Sequence, residues 1–199
     1  MLRRSLLALP VLLALPAYAQ LQDPAEFIRQ AGGRLTSTMT GAGTMAEKRR
    51  VLAPFMAEVV DVDGVGRFVL GRYWRNATPA QQAEYLQLFR TVLVNSVAGR
   101  LGDYQGQPAR IIVGRPETRA EGVIVPTTVE RPNNKPVNVA WLVTTDTGTP
   151  RIADVVAEGM SLRLSQRSDY TSFLTRNNGD IEALLRALRA QVADGAPLR

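Results

Sequence analysis

Cysteine and histidine are both absent from the 199 residues. Without thiols there are no disulfides and no thiolate nucleophile. Without imidazole there is no His-based triad, no imidazole proton shuttle and no ordinary zinc site. Lysine is scarce too: of 24 basic residues only Lys48 and Lys135 are lysines, so the balance of +6 against 18 acids rests almost wholly on arginine. Long apolar runs are missing after the first nineteen residues, and nothing later approaches the roughly 20 residues that span a bilayer as a helix. What remains is ordinary in bulk, 45% hydrophobic and 21% charged, the composition of one globular domain. The basic excess favours anionic surfaces, either nucleic acid or lipid headgroups.

The amino terminus bears on that choice. Arg3 and Arg4 form a basic region, Leu6 to Leu15 a short apolar run broken by Pro10, and Ala17-Tyr18-Ala19 places small residues where signal peptidase needs them. A membrane anchor is the competing reading, but the run is too short to span. We therefore expect a signal peptide over 1–19, cleavage before Gln20 and a single exported domain over 20–199. Losing Arg3 and Arg4 brings the charge to +4. An exported chain makes nucleic acid a poor candidate partner.

The mature chain opens with helices. Asp23-Pro24-Ala25-Glu26 caps a first one, with Phe27, Ile28, Ala31 and Leu35 on one face. Thr44 and Glu47 form a capping box before Val51, Leu52, Phe55, Met56, Val59 and Val60. Asp61 or Asp63 caps a third helix running to Gly71, and Thr78-Pro79-Ala80-Gln81 starts a fourth that carries Tyr85, Leu88, Phe89, Val92, Leu93 and Val97. From Ala109 the apolar period changes from 3.6 to 2. Four strands follow, around Ile111, over Val123 to Glu130 with Pro126 suggesting an edge or a bulge, over Val137 to Thr144, and over Ile152 to Val156. Helices over Leu162 to Leu174 and from Asp180 to Val192 end the pattern. The expected fold is α+β: a four-stranded twisted antiparallel sheet covered by about six helices, with an apolar cavity between the layers.

Few residues invite chemistry. Asp61 and Asp63 lie two apart, do not share a helical face and read as caps. Asp154 and Glu158 suit acid–base work only if buried and held together. Ser161 lacks a histidine and the final glycine of a nucleophile elbow, and reads as a helix cap. Gly64 and Gly66 have no strand before them and no third glycine, so they are not a dinucleotide fingerprint. No metal set is apparent, no cofactor is implied, and the chain reads as a non-enzyme.

The run Phe68-Val69-Leu70-Gly71-Arg72-Tyr73-Trp74-Arg75-Asn76-Ala77-Thr78-Pro79-Ala80-Gln81, with Tyr85 and Phe89, resembles the signature of the MlaC-type periplasmic phospholipid carriers, also called toluene-tolerance auxiliary proteins. Asp154 to Leu162, with Arg167-Ser168-Asp169-Tyr170, resembles that family's strand-to-helix segment. Asn177-Asn178-Gly179 is similar to a branch associated with hopanoid synthesis loci. The resemblance implies a periplasmic shuttle that moves phospholipid between the lipid-binding subunit of an inner-membrane ABC transporter complex and an outer-membrane lipoprotein–porin complex, maintaining outer-membrane lipid asymmetry. A hopanoid-related cargo, a small cone-shaped α+β enzyme acting through a buried carboxylate near Tyr73, Tyr104 or Tyr170, and an adaptor with no pocket are the alternatives.

For a carrier, the expected lipid-binding face is Val123, Val125, Val129, Val139, Trp141, Val143, Ile152 and Val156 of the sheet. The expected helical lid over it is Val65, Phe68, Val69, Phe89 and Leu93. Arg72, Tyr73 and Arg75 are the candidates for the mouth, where arginines would meet a headgroup phosphate.

Overall fold

Side-chain caps fix where the helices begin. In the computed structural model, which describes residues 23–39, 43–102, 110–132, 134–146 and 148–194, Asp23 accepts a bond from Ala25 N–H at 3.0 Å at the head of α1 (Pro24–Met39). The Thr44/Glu47 box is complete on α2 (Met45–Val59), with bonds of 3.2 and 2.8 Å in the two directions. Asp61 accepts from Gly64 N–H at 3.0 Å and starts α3 (Val62–Leu70). A 3-10 turn (Gly71–Asn76) follows, then Thr78 and Gln81 exchange bonds at the start of α4 (Pro79–Gly102). Ser161 and Asp180 do the same service for α5 (Leu162–Arg176) and α6 (Ile181–Asp194). Each such cap contributes about 1 kcal/mol by satisfying a donor that has no helical partner. The expected signal peptide over 1–19, Ala109 and Tyr104 lie outside the described residues.

Six strands form the sheet rather than four. The expected four are β1 (Arg110–Val113), β3 (Gly122–Glu130), β4 (Val137–Thr144) and β5 (Arg151–Ala157). The additions are short: β2 (Glu117–Arg119) is exposed throughout, and β6 (Met160–Ser161) has two residues. Neither is long enough to show an alternation. All pairs are antiparallel, in the order β1-β3-β4-β5-β6, with β2 sharing the β3 flank with β1. Pro126 therefore sits in an inner strand, not at an edge. Gly114 N–H donates to its carbonyl at 2.8 Å on the β1 side. The amide and carbonyl of a residue in an antiparallel strand point the same way, so the missing N–H of Pro126 falls in the gap between β1 and β2.

The interior is divided into three buried clusters. One is built almost entirely from helices, with Val69, Tyr73, Tyr85, Phe89, Tyr170, Leu174 and Leu184 among its members from α3, the 3-10 turn, α4, α5 and α6. A second joins the sheet to α1. A third joins α2 to α4 through Leu52, Met56, Val94 and Ala98. Val60 packs against all three, where the chain between α2 and α3 pairs with β5 through an Asp61 N–H to Ile152 O bond of 3.0 Å.

Candidate functional site

Register assigns the side chains of the sheet to faces. Val123, Val125, Thr127 and Val129 on β3 stand opposite Val143, Trp141, Val139 and Val137 on β4. Val143 and Trp141 in turn stand opposite Ile152 and Val155 on β5. Paired residues share a face, so these form one apolar surface. At one end it is closed: Val125 is 0% exposed, and Val143 and Ile152 are buried with it against Ala25, Phe27, Ile28 and Ala31 of α1 and Val59 of α2. At the other end Val129, Val137, Val139, Trp141 and Val155 are only half-buried. Trp141 Nε1–H donates to Thr127 Oγ1 at 2.9 Å, and that hydroxyl donates to Val139 O at 2.9 Å. The polar atoms on this stretch are thus engaged with each other, and the indole presents its apolar body.

Half-buried side chains also come from the helices. Phe55 packs against both the sheet cluster and the α2/α4 cluster, and Leu35, Val51, Leu93 and Val97 pack against the latter. Arg34 lies 5.6 Å from the centre of the Phe55 ring and grips Glu58 with two bonds of 2.6 Å. The guanidinium holds Glu58 below the usual carboxylate range. Sheet and helices therefore meet along an apolar seam that is packed at one end and incompletely covered at the other.

This arrangement redistributes the expected site. Val123, Val125, Val143, Trp141 and Ile152 come together as expected, and Val129 and Val139 share their face. Val156 does not. A register shift between Leu142 and Val143 leaves Ala153 without a partner in β4, so Ile152 and Val155 share one face while Val156, opposite Ala140, lies on the other. Of the expected lid, Val69 and Phe89 are buried in the helical cluster with α5 and α6, and Val65 and Phe68 pack on its edge. Leu93 alone of these reaches both that cluster and the one between α2 and α4. The side chains that cover the sheet face are instead those of α1 and the end of α2. Their signal, the stripe Phe27, Ile28, Ala31, Leu35 with Phe55 and Val59, is present in the sequence, but two amphipathic helices compete for one sheet and periodicity does not rank them.

The mouth residues occupy the 3-10 turn. Tyr73 is buried in the helical cluster; Arg72 donates to its hydroxyl at 3.0 Å, and that hydroxyl shares a second hydrogen bond with Thr175 Oγ1 at 3.4 Å. Those two bonds, Thr175 first, hold the phenol below its ordinary range. Arg75 is exposed. The acid–base candidates have structural employment: Glu158 takes positive φ in the β5–β6 turn and is exposed, while buried Asp154 accepts from Ser161 Oγ at 2.6 Å, Val155 N–H at 2.8 Å and Arg163 N–H at 3.1 Å. Asp61 is a cap, and Asp63 pairs with Arg90 at 2.9 Å. A separate open groove of about 440 Å³ crosses the opposite face of the sheet, between Ile112, Pro126, Ala140 and Val156. Among the described residues, no group of three or more acids is placed to hold a metal ion, and no helix is long and apolar enough to cross a membrane.

An antiparallel sheet with one apolar face, clad by helices that leave part of that face open, defines an α+β domain suited to holding an apolar ligand. The chain belongs to the MlaC family, whose model, described as MlaC protein, matches residues 29–190. Its fold is also similar to a solved phospholipid-binding protein from Ralstonia solanacearum, in complex with a phospholipid, with a TM-score of 0.74. That match is 20% identical and covers 86% of this chain and 97% of the other.

Proposed function

We propose that the protein is a periplasmic phospholipid carrier, which holds acyl chains in the seam between the open end of the sheet face and α1, α2 and α4. The observation that carries this is the half-burial of Val129, Val137, Val139, Trp141 and Val155. These apolar side chains continue a packed core face past the point where the helices cover it. Family membership and the phospholipid in the Ralstonia neighbour support the same ligand.

The physics of the task requires such a seam. Each methylene moved from a bilayer into water costs about 0.8 kcal/mol, so two chains with about 30 methylenes face more than about 20 kcal/mol. Offering Val, Leu, Phe and Trp side chains instead of water removes most of that cost. The carrier then needs no bond-making step of its own. It accepts and delivers lipid at an inner-membrane ABC transporter's lipid-binding subunit and an outer-membrane lipoprotein–porin complex, the partners that the family resemblance implies, and so serves outer-membrane lipid asymmetry.

Native mass spectrometry of protein purified from cells without detergent or added lipid tests the reading. A bound phospholipid mass, removed by organic extraction, is the expected result. A bare chain, or a small polar ligand, would overturn it.

A further inference from the structure

The arginines of this chain are not all used in the same way. Arg29, Arg34, Arg90, Arg119, Arg163, Arg186 and Arg189 each hold a carboxylate. Around the 3-10 turn the pattern changes. Arg67 lies over the Trp74 ring at 5.3 Å, Arg72 over Tyr73 at 4.9 Å and Arg167 over Phe68 at 4.8 Å. All three guanidiniums, and that of Arg75, belong to exposed residues, and no salt bridge engages any of them among the described residues. Arg167 also packs where a Cβ on Gly71 would stand, 3.3 Å from its Nε, which ties α5 to the turn. Nearby acids do little to offset the charge: Asp63 and Asp180 are taken by Arg90 and Arg186, and exposed Asp169 alone remains on α5.

A guanidinium over a ring keeps N–H groups for a further acceptor, and Arg72, which gives one to the Tyr73 hydroxyl, has others left. Phe68 and Trp74 are themselves only half-buried, so the corner mixes cations with aromatic surface, the composition that suits the headgroup level of a bilayer. We propose that this corner, Arg67, Arg72, Arg75 and Arg167 with Phe68 and Trp74, is a docking surface for an anionic lipid bilayer. The proposal goes beyond the carrier reading, because bilayer docking and occupancy of the seam are read by separate measurements.

Co-sedimentation of the full mature chain with vesicles tests it. Vesicles of phosphatidylcholine with about one third phosphatidylglycerol should bind the protein, phosphatidylcholine alone should not, and binding should fall as salt shortens the Debye length from about 10 Å at 0.1 M. Arg72→Gln/Arg75→Gln/Arg167→Gln should weaken binding about a hundredfold, about fivefold for each arginine near the surface. The triple Arg49→Gln/Arg115→Gln/Lys135→Gln, exposed sites elsewhere with the same loss of charge, should weaken it far less. Should the corner triple fail to fold, Arg75→Gln alone must still lose about fivefold. Wild type that ignores the anionic vesicles overturns the proposal and leaves an acidic protein surface as the counterpart. Equal losses in the two triples also overturn it, since net charge would then suffice.

Discussion

Placing an aspartate at Val125 and at Val139 separates packed core from open seam on a single strand face. Val125 is 0% exposed and packs with Val143, Ile152 and the α1 residues. Val125→Asp gives up about 1.5–3 kcal/mol of burial. Its carboxyl must also stay neutral at pH 7, some three units above its ordinary value, at about 1.4 kcal/mol per unit, and it still lacks a partner, for about 1–3 kcal/mol more. The total is about 7–10 kcal/mol, which matches the whole stability of a typical domain at 5–15 kcal/mol. Val139 shares the face but is half-buried, beside the Thr127–Trp141 hydrogen bond. Water reaches an aspartate there, so Val139→Asp should cost about 1–2 kcal/mol, chiefly lost strand preference and partial burial. Circular dichroism melts and bound-phosphorus assays on both variants, with Val139→Leu as a size control, read the difference. Val125→Asp should be unfolded. Val139→Asp should be folded and free of lipid. An unfolded Val139→Asp would show that the seam is ordinary core, and a folded variant with full lipid would show that cargo lies elsewhere.

Further outcomes follow from other parts of the fold. Asp154→Ala strips Ser161 and the Arg163 amide of their acceptor and leaves the Arg163 guanidinium with Glu121 alone, so it should lose about 2–3 kcal/mol in urea denaturation. Asp154→Asn, which keeps one acceptor oxygen, should lose less than half of that. Gly122→Ala meets Val143 O at 2.4 Å with φ at +139° and should destabilise by more than about 2 kcal/mol. Gly33→Ala, on α1 with nothing near its Cβ position, should stabilise by about 0.5–1 kcal/mol. Burial raises the Tyr85 and Tyr170 phenols above their ordinary range, so the unfolded chain ionises first. Their contribution is complete below about pH 10 and is lost as pH climbs beyond it, at up to about 1.4 kcal/mol per pH unit for each. Tyr170→Phe should remove its own share of that alkaline loss and leave that of Tyr85, at little cost near pH 7, because the Tyr170 hydroxyl finds no partner among the described residues. Tyr85→Phe, which removes a 2.9 Å bond to Gly66 O, should cost about 0.5–1.5 kcal/mol.

Local rules made much of the fold legible. Caps such as Thr44/Glu47, Asp61, Thr78/Gln81 and Ser161 are short-range hydrogen bonds, written in residues at most three apart, and the structure forms each of them. The alternations of β3 and β4 likewise gave their shared face, because opposite residues in an unbroken ladder cannot change sides independently. Val156 shows where such reading stops. One unpaired residue, Ala153, turns the rest of β5 over, and an alanine carries no mark of that role. The choice of α1 over α3 as cover for the sheet was hidden for a different reason: it depends on which of several apolar stripes reaches the surface first in three dimensions. Pro126 marks an edge or a bulge by its missing N–H, and the pairing of β3 does shift by one residue between β1 and β2 beside it; that the strand is an inner one stays hidden because the two short strands sharing its flank leave no pattern of their own.

Val60, where the three clusters meet, has a mechanical consequence. A single continuous core resists any change of volume everywhere at once, since packed side chains transmit strain. Here the aromatic heart built on Tyr85, Phe89 and Tyr170 touches the seam through a few shared residues near one end of β5. In the proposed carrier the helices from α3 to α6 would then keep their packing while α1 and the open end of the sheet adjust to cargo, with β5 anchored to the start of α5 by the Asp154 bonds to Ser161 and Arg163. Loading and release in the proposed carrier would then be local deformations at the sheet end of the molecule.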